Sequence, residues 1–250
     1  MHKFLIFDAD DSLSTLGNHD QIREMTGGIT PIRIMAGVKQ IKSRIDKLFT
    51  AVEVDVKHEL FDEPIKEIRY QPTKLCTDIG LTGIVVDTMS HTFRQDMRIL
   101  ERANKSGALE MADWGKLERM YNEFVSMLRN LPIWIVVNCH IAYDKDQASG
   151  TFYYTPQLKG STKDSIQEYF DVILYTKASR DGKKLYTWQT FSDASRWGKD
   201  RKNVLAPFIN QDFSTVLKSY ILAGIDTPKL LIIGESGTGK SKALSTINKE

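Results

Sequence analysis

Five short runs of apolar, β-branched residues set the rhythm of the chain: Leu5 to Phe7, Ile84 to Val86, Ile133 to Val137, Val172 to Tyr175 and Leu230 to Ile233. None alternates with polar residues, as expected of strands covered on both faces of a parallel sheet. Amphipathic or polar connections separate them. Trp114 to Leu131 is the clearest predicted helix. Leu117, Met120, Tyr121, Phe124, Leu128 and Leu131 recur there at three-and-four spacing, and Pro132 comes next. Arg180-Asp181-Gly182-Lys183 reads as a hairpin turn joining Val172–Tyr175 to Leu185–Phe191, which gives the sheet an antiparallel portion toward the C-terminus. The least periodic stretches, Gly17–Pro31, Arg94–Asp113 and Ala142–Lys159, are predicted to be long functional or mobile loops. The pattern predicts an α/β fold with a mainly parallel central sheet and helices on both faces.

Composition adds modest bounds. The 250 residues are 41% hydrophobic and 26% charged, the usage of one ordinary globular α/β domain spanning 1–250. A net charge of +2 argues neither for nor against nucleic acid. No apolar run approaches the roughly 18 residues that span a bilayer, and Met1-His2-Lys3 opens no signal peptide. The expectation is a cytoplasmic protein with no membrane partner. Cys76 and Cys139 lack metal-ligand spacing and are expected to be buried thiols.

The chemistry concentrates near the C-terminus. Gly234-Glu235-Ser236-Gly237-Thr238-Gly239-Lys240-Ser241 fits G-x-x-x-x-G-K-[ST], behind the strand such a loop requires. Its glycines let successive N–H groups turn inward around phosphate oxygens, Lys240 adds a cation, and Ser241 offers a hydroxyl to magnesium. The helix expected over Lys242–Asn248 adds its positive end.

Too little chain lies beyond Ser241 to supply flanking strands, so these must come from upstream. Lys3 to Phe7, ending in Asp8-Ala9-Asp10-Asp11, would continue the loop-helix unit if it came after Glu250. The predicted arrangement is a circular permutation: 1–209 is the core from the second strand onward, 210–228 bridges the unpermuted termini, and 229–250 carries the phosphate loop. Met1 should then lie near Glu250, the strand Lys229–Ile233 beside Ile84–Val86, and Asn210–Pro228 among the less constrained segments. The competing arrangement is a phosphate loop belonging to a second, mostly absent domain.

Gly83-Ile84-Val85-Val86-Asp87-Thr88 is an apolar strand ending in an acid. Parallel strands end at the ligand crevice, so Asp87 is a candidate magnesium ligand opposite Ser241. A helix-capping aspartate is the alternative.

Read in permuted order, Lys229–Ile247, Phe4–Leu16, Asp87 and Ile133–Ile141 resemble the RecA-like P-loop ATPase core. More specifically they resemble the phage RecA-like ATPases of the Sak single-strand annealing group. Phe191–Val216, with Arg196-Trp197-Gly198-Lys199-Asp200-Arg201 and Asn210-Gln211-Asp212-Phe213, is similar to the segment on the C-terminal side of the core in those proteins. The resemblance implies roles by position. Asp10 stands where RecA-like proteins carry the acid that orients the attacking water, a glutamate in RecA proper, with Asp8 and Asp11 as rivals; capping of a helix near Ser12 is the alternative. Ile135–His140 resembles the strand whose polar end senses the γ-phosphate, so Asn138 and His140, which share a strand face, are candidates, with a structural histidine as the other reading. Lys199 and Arg201 resemble the basic pair that hexameric motors and RadA-type proteins push into a neighbour's nucleotide; an exposed basic hairpin is the alternative.

Lys145, Phe152, Tyr153, Tyr154 and Lys159 combine aromatics with lysines, as suits stacking on unpaired bases. Arg94, Arg98, Arg102 and Lys105 offer further phosphate contacts or the polar face of an amphipathic helix. Together the expectation is an oligomeric ATPase using ATP and Mg2+, binding single-stranded DNA and promoting annealing or strand pairing for a phage in its host's cytoplasm, with a single-strand-binding protein as a further partner. A DnaB-like translocating motor and a nucleotide-gated DNA-binding module with negligible hydrolysis are the alternatives.

Overall fold

The computed structural model of the chain describes residues 2–57, 63–145, 150, 152–178, 186–225 and 227–248. Its centre is a sheet whose buried strands are the apolar runs. These are β1 (Phe4–Asp8), β5 (Gly83–Asp87), β6 (Trp134–Lys145), β8 (Val172–Ala178) and β12 (Lys229–Gly234), joined at one edge by β2 (Ile32–Arg33). Across the sheet they run β8-β12-β6-β5-β1-β2, all parallel. Beyond β8 come β9 (Tyr186–Gln189) and β11 (Phe208–Asn210), both antiparallel to their neighbours, while the short β10 (Lys199–Asp200) pairs with the start of β8. The antiparallel portion is therefore where the sequence placed it; its turn, Arg180–Lys183, lies outside the described residues.

Helices cover both faces because each strand alternates its side chains between them. One face packs Leu5, Ile84, Ile135 and Leu231 against α2 (Gly37–Leu48), α4 (Met89–Ala103) and α5 (Met111–Asn130). On α5 the predicted stripe is buried at Leu117, Tyr121, Phe124 and Leu128. The other face packs Ile6, Val85, Val136 and Ile232 against α1 (His19–Met25), α7 (Phe213–Leu222) and α8 (Lys240–Ala243). Outside the sheet, β3 (Phe49–Val56) and β4 (Ile65–Pro72) form a two-stranded ribbon, with α3 (Lys74–Ile79) directly after it. Cys76 and Cys139 are buried and free.

Several expectations are corrected. Arg94–Asp113 is irregular only over 104–110: Met89–Ala103 is helical, capped by the Thr88 hydroxyl, and Arg94, Arg98 and Arg102 recur on its exposed side. Charge at every fourth position hid the narrow stripe of Met89, Thr92, Phe93 and Asp96. Gly17–Pro31 contains α1, whose Asn18 and Gln21 make a reciprocal capping box. In Ala142–Lys159, β6 runs on to Lys145 and pairs antiparallel with β7 (Phe152–Pro156), so the region is a hairpin with half-exposed faces. Asn210–Pro228 is constrained over part of its length, since α7 buries Phe213, Val216, Leu217 and Tyr220, while Ile221 to Gly224 are exposed. The helix expected over Lys242–Asn248 is shorter and starts earlier, α8 passing into a 3-10 turn at Leu244–Thr246.

The phosphate-loop strand also has a different neighbour. β12 pairs with β6 and β8, not with Ile84–Val86; β6, buried on both faces from Trp134 to Cys139, is interposed. Met1 and Glu250 lie outside the described residues, but the residues just inside them are bonded to each other through the Asn248 side chain and the His2 backbone.

Candidate nucleotide site

The strands bring their C-terminal ends to one line. Asp8, Asp87 and Asn138 are successive partners across β1, β5 and β6, and two residues further along β6, His140 partners Gly234, where the phosphate loop begins. The loop turns at Gly237 and Gly239, with φ of 76° and 87°, a left-handed conformation that side chains disfavour. Thr238 ties it to the sheet through the Thr176 hydroxyl (2.8 Å) and the Glu235 carbonyl (2.8 Å).

Lys240 is buried rather than displayed. Its Nζ donates to the carbonyls of Gly234 (3.0 Å) and Glu235 (2.8 Å) and lies 3.5 Å from His140 Nδ1. Burial lowers its pKa, opposed chiefly by the Asp87 carboxylate.

Asp87 is fully buried, and Ser12 stands between it and Ser241. Asp87 accepts from Asn138 Nδ2 (2.9 Å) and Ser12 Oγ (2.9 Å), and Ser241 donates to Ser12 Oγ (3.1 Å). Burial raises the Asp87 carboxyl, against hydrogen bonds from Ser241 and Asn138. A buried carboxylate among hydroxyls and beside an amide whose Oδ1 has no partner among the described residues is a set of hard oxygen donors, which fits magnesium. Among the described residues no cluster of three or more His, Cys, Asp or Glu is arranged to hold a metal.

The acidic turn separates its three aspartates. Asp10 Oδ2 lies 3.5 Å from His140 Nε2, and its Oδ1 accepts from the Ser12 N–H (3.2 Å). Burial acts to raise Asp10, but the hydrogen bonds of His140 and Ser12 outweigh it and hold the carboxyl below its ordinary value. Asp8 is pushed up to about 6 by burial and by the neighbouring carboxylates of Asp87 and Asp10. Asp11 points away to an exposed ion pair with Arg33 (3.1 Å). Capping contributes as well, since Asp8 and Asp10 both accept from the Ser12 N–H at the start of a 3-10 turn.

The remaining candidates stand apart. Lys199 and Arg201 lie at the start of β8, the end of the sheet opposite the phosphate loop, where Lys199 Nζ donates to the Gln167 carbonyl (3.1 Å) and Arg201 pairs with Asp171 (2.9 Å). On the hairpin, Lys145 Nζ stands 5.6 Å from the exposed Phe152 ring, Tyr153 is half-buried and Lys159 is exposed. Tyr154 is committed elsewhere: its ring meets Tyr143, Tyr175 and the Arg196 guanidinium. Sequence reasoning missed that last group. A cavity of about 660 Å³ beside the phosphate loop is lined by Tyr154, Tyr175, Lys177, Arg196 and Glu235, and Tyr143 donates its hydroxyl to Glu235 (2.6 Å). Only contacts made by folding distinguish these residues. Ser12 carried the one legible signal, being a hydroxyl two residues beyond Asp10.

A family model described as AAA domain matches residues 1–203. The chain belongs to this AAA domain family. Membership makes it a P-loop NTPase-type, nucleotide-binding ATPase domain, the coarser class within which the RecA-like expectation falls. The match ends before β12, so the phosphate loop itself lies beyond it. No curated protein and no solved structure matches the chain. Among the described residues of this AAA domain, no helix is long and apolar enough to cross a membrane.

Proposed function

We propose that the chain is a circularly permuted, RecA-type ATPase that uses ATP and Mg2+, binds single-stranded DNA and promotes annealing or strand pairing, in the manner of the phage Sak group it resembles. The observation that carries this reading is the meeting, at one end of the sheet, of a C-terminal phosphate loop with acids from strands at the beginning of the chain: Ser241 and Asp87 share Ser12, and Lys240 reaches His140 beside Asp10. The strand order β8-β12-β6-β5-β1, with the phosphate strand inside and the acids two and three strands away, supports it. So does the Asn248–His2 junction, which lets the order of segments be cut and rejoined without displacing them.

In this reading the loop amides and Lys240 bind phosphates, and Ser241 and Asp87 hold the cation. A magnesium ion bound there neutralises charge on the phosphate oxygens. Asp10, ionised at neutral pH, takes a proton from the water aimed at the terminal phosphorus, and His140 orients that carboxylate while reporting on the phosphate. Strand β6 carries His140 directly into the hairpin that bears Lys145, Phe152 and Tyr153, linking nucleotide state to the DNA-binding element. Lys199 and Arg201, remote from the chain's own loop, act on a neighbouring subunit in a ring or filament, in the host cytoplasm and alongside a single-strand-binding protein.

ATP turnover measured with and without single-stranded DNA tests the reading, with unwinding of a forked duplex as a second measurement. DNA-stimulated turnover without unwinding is expected. Processive unwinding would favour a DnaB-like motor, and tight nucleotide-dependent DNA binding without turnover a gated binding module. The short Asp10 side chain, already engaged by His140 and Ser12, is the observation that favours the last of these.

A further inference from the structure

The hydroxyl of Ser12 stands between the two side chains assigned to the cation. Its Oγ donates to Asp87 Oδ2 at 2.9 Å and accepts from Ser241 Oγ at 3.1 Å, a relay of three oxygens from loop to strand end. Neighbouring ligands around Mg2+ bound at about 2.0–2.1 Å are separated by about 2.9 Å, the edge of an octahedron. The separations of Ser12 Oγ from Asp87 Oδ2 and from Ser241 Oγ both match that edge, so Ser12 is spaced as a ligand adjacent to each. The backbone enforces their placement. Asp11 adopts a left-handed conformation, φ 62°, that turns the chain sharply, and the Ser12 N–H is then held by Asp8 Oδ1 and Asp10 Oδ1, both at 3.2 Å.

We propose that Ser12 Oγ is a direct oxygen ligand of the magnesium ion at the nucleotide site, an inference that rests on the nucleotide-binding reading above. It gives the turn that carries Asp10 a second task. Cation and water-activating carboxylate are then fixed by residues two apart, so loading the ion sets the position of Asp10 through two peptide units. A serine that merely supported the Asp87 side chain would tolerate any cation equally.

That difference is measurable without reference to turnover. Binding of a fluorescent ATP analogue to the full chain would be titrated with Mg2+ and with Cd2+. Ser12→Ala should raise the Mg2+ needed for half-maximal binding by about tenfold or more. Ser12→Cys should shift preference toward Cd2+ over Mg2+ by about tenfold relative to wild type, because a thiolate suits the softer ion. Ser12→Thr, which keeps the hydroxyl, should stay near wild type. Cys76 and Cys139 are buried, and the wild-type titration controls for them. An alanine variant that melts like wild type and needs no more Mg2+ than wild type would overturn the proposal, even were the cysteine variant to misfold. A wild-type chain that binds the analogue without cation dependence, or not at all, would instead overturn the nucleotide-site reading and this inference with it.

Discussion

Asn248 grips the backbone of His2 in both directions, accepting from its N–H (2.7 Å) and donating to its carbonyl (2.9 Å). The same amide also donates to the Met25 carbonyl (3.1 Å), so the last described turn is fastened to α1 as well as to the strand that opens the chain. If the order of segments is a permutation, joining this contact covalently and cutting elsewhere should be harmless. A chain with Asn248 linked to His2 through a few flexible residues and opened between Gly224 and Thr227 should fold and bind ATP within about threefold of the parent, since closing a short loop between adjacent ends costs little. Circular dichroism melting and nucleotide titration check it. A reordered chain that fails to fold would show that the existing order is required.

The phosphate-loop lysine gives the second prediction. Lys240 is buried, with its ammonium on two carbonyls, so its replacement touches stability as well as binding. Lys240→Met keeps the aliphatic stem and removes a charge that burial disfavours, and the unliganded variant should melt within a few degrees of wild type. ATP affinity should fall by roughly 2–4 kcal/mol, the cost of removing one charged partner of a phosphate. Unchanged affinity in the folded variant would remove the loop from the nucleotide site.

Much of this was legible and some was not, for physical reasons. Strands buried on both faces leave continuous apolar runs, so β1, β5, β6, β8 and β12 could be found without coordinates, and the phosphate loop declares itself because backbone cradling needs glycine at fixed places. Register is different. That Asp8, Asp87 and Asn138 line up, or that β6 separates β12 from β5, depends on pairings between segments far apart in the chain. The helix α4 was hidden by its arginines and β3–β4 by their mostly exposed side chains, since neither presents the wide apolar stripe that periodicity detects. Arg196 was unreadable as a partner of Tyr154 and Tyr175, because nothing local marks a guanidinium that will stack on rings from two other strands.

The acidic turn yields a prediction with opposite signs for two neighbours. Asp10→Asn should retain ATP binding and lose hydrolysis by about two to four orders of magnitude, the usual contribution of a general base. Asp8 differs, because its folded pKa of about 6 exceeds the ordinary carboxylate value. Between about pH 4 and 6 the folded chain therefore holds a proton at Asp8 that the unfolded chain has lost, and the contribution of this group to stability declines as pH rises through that window. Asp8→Asn, measured without divalent cation, should melt higher than wild type at pH 7 and lose that part of the decline. A variant with an unaltered pH profile would show that Asp8 is not held protonated. Retained turnover in Asp10→Asn would move the base to another residue.

On the hairpin, neighbouring aromatics should behave differently. Phe152 is exposed under Lys145, and Tyr153 is half-buried, so replacing both by alanine should leave melting nearly unchanged while weakening single-stranded DNA binding by about 1–3 kcal/mol per lost stack. Tyr154 packs on Arg196, Tyr143 and Tyr175, and Tyr154→Ala should lower stability. Fluorescence anisotropy at fixed salt, alongside thermal melts, separates the two. DNA affinity unaffected by the Phe152 and Tyr153 changes would take the hairpin out of the DNA site.

Subunit mixing tests the remote basic pair. Arg201 is partly exposed and salt-bridged to Asp171 at the far end of the sheet, so Arg201→Ala should cost no more than about 1 kcal/mol of stability and leave the chain's own phosphate loop intact. Turnover should nevertheless collapse if Arg201 completes a neighbour's site. Asp10→Asn should be inactive for a different reason, because the carboxylate proposed to activate water is gone. In mixed oligomers, some interfaces pair an intact Asp10 on one subunit with an intact Arg201 on the next, and these should hydrolyse ATP. Activity of a mixture assembled from the two variants should therefore rise above that of either alone and peak near equal proportions. A mixture no more active than its components, in a preparation shown by light scattering to be oligomeric, would assign Lys199 and Arg201 to holding Gln167 and Asp171 at the base of the fold, with no part in a shared nucleotide site.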